Sequence, residues 1–106
     1  MTHRMSLYAR RNVLADLGFP GAEELTAKTI LAKKINDILQ SRGLTQVEAA
    51  ALLAMPQPKV SLLRNHKLRG ISLERLLQAP TALGQNVEIV VHPSKRSAPA
   101  RIAVAA

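Results

Sequence analysis

Gln57, Ser61 and Leu62 stand at helical spacing within LTQVEAAALLAMPQPKVSLLRNHK, the stretch from Leu44 to Lys67. An amide, a hydroxyl and an aliphatic group so placed can read the edge of a base. Glutamine pairs with adenine, serine donates or accepts, and leucine covers a thymine methyl. Lys59, Arg64, Lys67 and Arg69 surround them, and no acidic residue occurs between Glu48 and Glu74. A surface presented to phosphates needs that local absence of negative charge. The chemistry on offer is recognition, not bond-making. The chain has no cysteine, and His3, His66 and His92 are too scattered to suggest a metal site. Asp16 and Asp37 lack a carboxylate partner for acid–base work. No serine sits in a nucleophile-elbow context, and no glycine-rich loop could cradle a phosphate. An enzyme is not expected, nor is a cofactor.

Two short helices must hold these side chains. Thr45 and Glu48 are three apart, so each can satisfy the other's free amide, a capping box that starts a helix. Ala49, Ala50, Leu52 and Leu53 continue it at apolar helical spacing. Pro56 and Pro58 interrupt it, because proline lacks an amide and pushes the preceding residue out of helical geometry. In the first turn of a new helix those amides would have had no partner anyway, so a second helix can begin near Pro56 or Gln57. The pattern is a helix-turn-helix. At 100° per residue, Val60 and Leu63 of the second helix share the side that must face a core. Pro58, Ser61, Leu62 and Asn65 share the opposite side, with Gln57 on its flank.

The run L-T-Q-x-E-A-A-x-x-L-A-M-P-Q-P-K-V-S-x-L-R-N resembles the lambda-repressor-like, or Cro/XRE, DNA-binding domains. L-G-F-P-x-A-E-E-L upstream, P-Q-P-K-V-S in the middle and A-L-G-x-x-V-E-I-V-V downstream resemble the HigA-type antitoxin branch. The resemblance spans roughly residues 12 to 91. It implies a sequence-specific repressor that dimerises on double-stranded operator DNA. It also implies an antitoxin that represses its own operon and neutralises a basic toxin of the RelE/HigB kind. The alternative is a stand-alone XRE-family regulator with no toxin partner. Gln46 matches the family's phosphate-contacting glutamine. Two positions depart from the pattern: Ala54 stands where a turn glycine is usual, and His66 replaces a glycine common after the recognition helix. Alanine at positive φ costs about 1 kcal/mol.

The chain of 106 residues suits one domain. Its only aromatic residues are Tyr8 and Phe19, so the core must be aliphatic, as in small helical bundles. The net charge of +8 favours a polyanionic partner. No run is long and apolar enough for a membrane span, and the N-terminus lacks a signal-peptide core, so no membrane partner and a cytoplasmic location are expected. Residues 1–21 read as an N-terminal arm, 22–84 as the helix-turn-helix domain and 85–106 as a C-terminal strand and tail. A long helix is expected over Ala22 to Ser41, with Leu31, Ala32, Ile35, Ile38 and Leu39 on one apolar stripe. Ile30 lies off that stripe. Ser72 should cap a last helix, which Pro80 should kink or end near Ala79. Val87-Glu88-Ile89-Val90-Val91 is the clearest strand, β-branched at four of five positions. It would pair with Arg101 to Val104, with the segment near Val13, or with a second protomer. The expected class is mainly α: a lambda-repressor-like helix-turn-helix bundle with a C-terminal β-strand or hairpin.

Asn12 to Thr26 reverses the charge of the chain, with Asp16, Glu23 and Glu24 and no cation. With Leu14, Leu17 and Phe19 it offers an apolar surface with an acidic rim, suited to a basic partner protein. Glu23 and Glu24 also complement the dipole at the start of the long helix. In the DNA-facing set, Gln57, Pro58, Ser61 and Leu62 are the base readers. Gln46, Lys59, Arg64, Asn65, Lys67 and Arg69 are the phosphate contacts.

Overall fold

Twenty residues from Ala22 to Ser41 form α1. Its stripe of Leu31, Ala32, Ile35 and Leu39 is buried, while Lys33 and Asp37 pair on the wet side at 3.0 Å. The computed structural model describes residues 21–95, 97 and 99–105. The expected arm and the residues Leu14, Asp16, Leu17 and Phe19 lie outside the described residues. Ile30, off the stripe, is buried within the chain at 5% exposure, so it is not free for a partner.

Three short helices follow: α2, Gln46–Leu53; α3, Gln57–Arg64; and α4, Leu73–Ala82. The capping box opens α2 as the spacing requires. The Thr45 hydroxyl accepts from the Glu48 amide at 3.1 Å, and Glu48 Oε1 accepts from the Thr45 amide at 2.9 Å. Ser72 caps α4 by accepting from the Arg75 amide at 3.1 Å. All four helices end in the same way. The first amide past the last helical turn reaches back three residues, and the next reaches back five, the pattern of a left-handed C-terminal cap. The pairs are Gly43 to Gln40 and Leu44 to Leu39, Ala54 to Ala51 and Met55 to Ala50, His66 to Leu63 and Lys67 to Leu62, and Gly84 to Thr81 and Gln85 to Pro80. Glycine fills that left-handed position after α1 and α4. After α2 and α3 it is filled by Ala54 at φ 52° and His66 at φ 56°.

Ile35, Leu39, Val60, Leu63, Ile71, Leu76 and Leu83 are the largest fully buried side chains. Each stabilises the fold by about 1.5–3 kcal/mol relative to an exposed position. α1 packs mainly on α4, and α2 on α3, with Met55, Leu68 and Ile71 from the connections sealing the same core. The aliphatic composition thus closes around the helix-turn-helix from behind.

Two expectations are corrected. The described residues contain no strand, and Val87–Val91 runs irregularly with Ile89, Val90 and Val91 at 73%, 70% and 92% exposure. Arg101 to Val104 is equally without strand structure, although Val104 packs partly against the core. A β-branched run has no ladder of its own. Without a neighbour to pair with, its amides and carbonyls go to water. The fold is therefore all-helical among the described residues. Pro80, secondly, does not end α4, which continues to Ala82. Its ring is buried, and its carbonyl accepts from Leu83 and Gln85, so the last turn closes around it.

Candidate nucleic-acid interface

The outer face of α3 follows from its inner one. Val60 and Leu63 are wholly buried, and this fixes the rotation of the helix. Gln57, Pro58 and Asn65 then lie exposed, while Ser61 and Leu62 are half-buried. Leu62 packs partly against the core, so only one edge of it is available to a ligand. The helix starts without a side-chain cap, and no acid lies in its first turn. Its positive end is left for an outside acceptor such as a phosphate or base oxygen.

The expected phosphate contacts fall into two groups. Lys67 and Arg69 are exposed, and their side chains hydrogen-bond to nothing among the described residues. They sit beyond the end of α3 on a loop that borders a shallow groove of about 380 Å³, floored by Leu25, Leu62 and Leu68. The others are tied into the fold. Arg64 donates to the carbonyl of Leu44 at 2.6 Å, and Lys59 Nζ to that of Gly70 at 3.1 Å. Asn65 Nδ2 donates to Ser61 at 2.8 Å. Gln46 Nε2 donates to the carbonyl of Gln57 at 3.3 Å, joining the starts of α2 and α3. Gln46 therefore sits beside the positive end of α3, half-buried. Of the acidic pair expected at a protein partner, Glu24 is exposed and Glu23 half-buried, both in the first turn of α1.

Several residues that position this surface carry no motif. Asn36 on α1 donates to the carbonyl of Leu63 at 3.0 Å, gripping the end of α3. Arg75 on α4 donates to the carbonyls of Leu53 and Ala54, closing the turn between α2 and α3. Lys28 on α1 donates to the carbonyl of Leu68 at 3.3 Å. In sequence these read as ordinary polar helix positions, because nothing local announces an acceptor tens of residues away. Glu48 is titrated by its own cap: the Thr45 amide, and then the Thr45 hydroxyl, hold its carboxyl below the ordinary carboxylate range. Among the described residues no acid or histidine group could hold a metal ion, and no helix is long and apolar enough to cross a membrane.

A family model described as a helix-turn-helix domain matches residues 13–92. A solved structure named as a candidate XRE-family transcriptional regulator is 50% identical, with a TM-score of 0.76. The alignment covers 82% of this chain and 99% of that one. No curated protein matches. The family match spans all four helices and the outward face of α3, and the similar structure shares the fold at half identity: the chain belongs to the XRE, or Cro-like, helix-turn-helix family.

Proposed function

We propose that this protein is a sequence-specific DNA-binding repressor that acts as a homodimer on a near-palindromic operator. The observation that carries the reading is the outward face of α3. Gln57 and Pro58 lie at an uncapped helix start, Ser61 and Leu62 lie one turn further along, and unpaired Lys67 and Arg69 lie beyond its end, which supports base reading by the first four. One such helix reads only a few base pairs, so two are needed in successive major grooves about 34 Å apart. The exposed apolar residues Ile89, Val90 and Val91 offer a surface for the second copy. The test is a mobility shift with the DNA upstream of the protein's own coding sequence. Gln57→Ala should weaken the cognate complex by about 1–3 kcal/mol and leave random DNA nearly untouched. Equal loss on both would put the wrong face in the groove.

We propose further that the repressor is a HigA-type antitoxin. The motifs around Leu17–Leu25, Pro56–Ser61 and Ala82–Val91 support this, as does the acidic start of α1 with Glu23 and Glu24. Within the described residues, Glu23, Glu24 and Leu25 remain at least partly accessible at the start of α1. A variant lacking residues 1–21 should hold the operator yet fail to capture an adjacent RelE-like toxin in a pull-down. Full capture by that variant, or the lack of a toxin gene nearby, leaves a stand-alone regulator.

A further inference from the structure

Lys28 is the only lysine or arginine among the buried residues of the described chain, at 8% exposure. Its amino group finds one acceptor, the carbonyl of Leu68, at 3.3 Å. Withdrawing an ammonium from water costs more than one neutral acceptor returns, so an apolar side chain of similar length would serve stability at least as well. The bond lies instead where it can orient something. Leu68 and Gly70 flank Arg69, and the carbonyl of Gly70 is held by Lys59 Nζ at 3.1 Å. The loop is thus gripped by a lysine from α1 and a lysine from α3. At its start, the amides of His66 and Lys67 are fixed to the carbonyls of Leu63 and Leu62. At its end, the Ile71 amide is fixed to Leu68 at 3.1 Å. The lysine and arginine side chains left without partners on this braced loop are Lys67 and Arg69.

We propose that Lys28, with Lys59 opposite, is a positioning residue for the DNA interface. The two lysines fix the backbone of the loop so that Lys67 and Arg69 meet phosphates together, and neither touches DNA itself. The inference rests on the DNA-binding reading above and adds an element to it. A buried amino group has no surface to offer a phosphate, so Lys28 acts through the loop. Lys59 changes role: its charge lies at the interface, but its amino group is directed to Gly70, which takes one of its three donors.

The experiment measures the affinity of the full chain for a random duplex of about 20 base pairs over a range of salt, since phosphate contacts carry no sequence information. Each phosphate contact contributes about 0.9 to the slope of log affinity against log salt. Lys28→Met should keep or raise the melting temperature while lowering that slope by nearly 2, the value for losing two contacts. In the Lys67→Ala, Arg69→Ala background it should change nothing further. An unchanged slope in the single variant overturns the proposal, as does an equal further loss in the double background. Should Lys28→Met fail to fold, Lys59→Met on the exposed side carries the test. Its loss must vanish in the same background, and a loss that adds there makes Lys59 a direct contact. Wild-type protein that binds no duplex at all rejects the DNA-binding reading itself, a result distinct from either of these.

Discussion

Ala54 and His66 hold left-handed conformations that cost an L-residue about 1–2 kcal/mol each, one in the turn of the helix-turn-helix and one just past its second helix. Neither has the excuse of a glycine, and each is over-determined by the two back-reaching amides that close its helix. Ala54→Gly should therefore stabilise the protein by about 1 kcal/mol and raise Tm by roughly 4–8 °C in a domain of this size. A thermal melt checks it, and a fall in Tm would mean that the unfolded-chain entropy of glycine outweighs the relief of strain. The strain was legible from the family pattern, because both positions stand where glycine is usual. Glu48 gives a second prediction. Its carboxyl is lowered by Thr45, so its contribution to stability is full above the ordinary carboxylate range and is lost as pH falls through the depressed value. Glu48→Gln should flatten that limb of the stability–pH curve, leaving the two proteins closest at the acid end and furthest apart near neutrality. Denaturant melts across that range would show parallel curves if the cap carried no charge effect. Lys28 shows the opposite case of legibility. A lysine amid polar neighbours on a long helix reads as a wet position, and only the folded chain brings Leu68 to it.

At the scale of elements, α3 could not stand alone. A helix of eight residues is marginal in water, and this one starts with two prolines and no side-chain cap. Packing of Val60 and Leu63 holds it, together with the grips of Asn36 and Arg64 at its end. Leu63→Ala should cost about 2–5 kcal/mol, enough to unfold much of a marginal domain. The check is denaturant unfolding followed by circular dichroism. A loss below 1 kcal/mol would mean the pocket collapses around the smaller residue. The helices were readable because their signals are local: a capping box, a pair of prolines, a serine cap and a periodic stripe. The strand was misread because its signal was only composition. Valine and isoleucine report fit to a pleated, half-buried surface, and whether such a surface exists is decided elsewhere in the chain. Pro80 was expected to kink the last helix or end it near Ala79, and the helix runs on to Ala82. Its cost as an interior proline is local, but the burial of its ring and the bonds to its carbonyl become visible only once the last turn has closed.

Across the whole molecule, many cationic side chains donate to the protein's own backbone. Lys28, Arg42, Lys59, Arg64 and Arg75 each donate to a carbonyl in a connection or at a helix end, where the backbone has acceptors to spare. These cations keep their charge within the net +8, but their geometry is set by the fold and not by a ligand. The salt dependence of binding should follow Lys67, Arg69 and any outside cations, and should fall short of the formal charge. The exposed apolar tail yields a further prediction at this scale. Val90→Glu should leave the helical domain folded but shift the proposed dimer toward monomer in light scattering at micromolar concentration. It should also weaken operator binding more than random binding, because only the operator rewards two recognition helices. Unchanged mass and unchanged affinity would place the dimer contact elsewhere. The left-handed caps have one more consequence, and it concerns time. Because Arg42–Thr45 and Ala54–Pro56 are each closed by bonds to the turn just before them, the chain need not search far to rebuild them. Helical domains with such local closures fold in microseconds to milliseconds. At micromolar concentration another protein arrives only about 0.1 to 10 times per second. Attack by a protease or a stray chain should then follow the equilibrium population of the open helix-turn-helix and not the rate at which it opens.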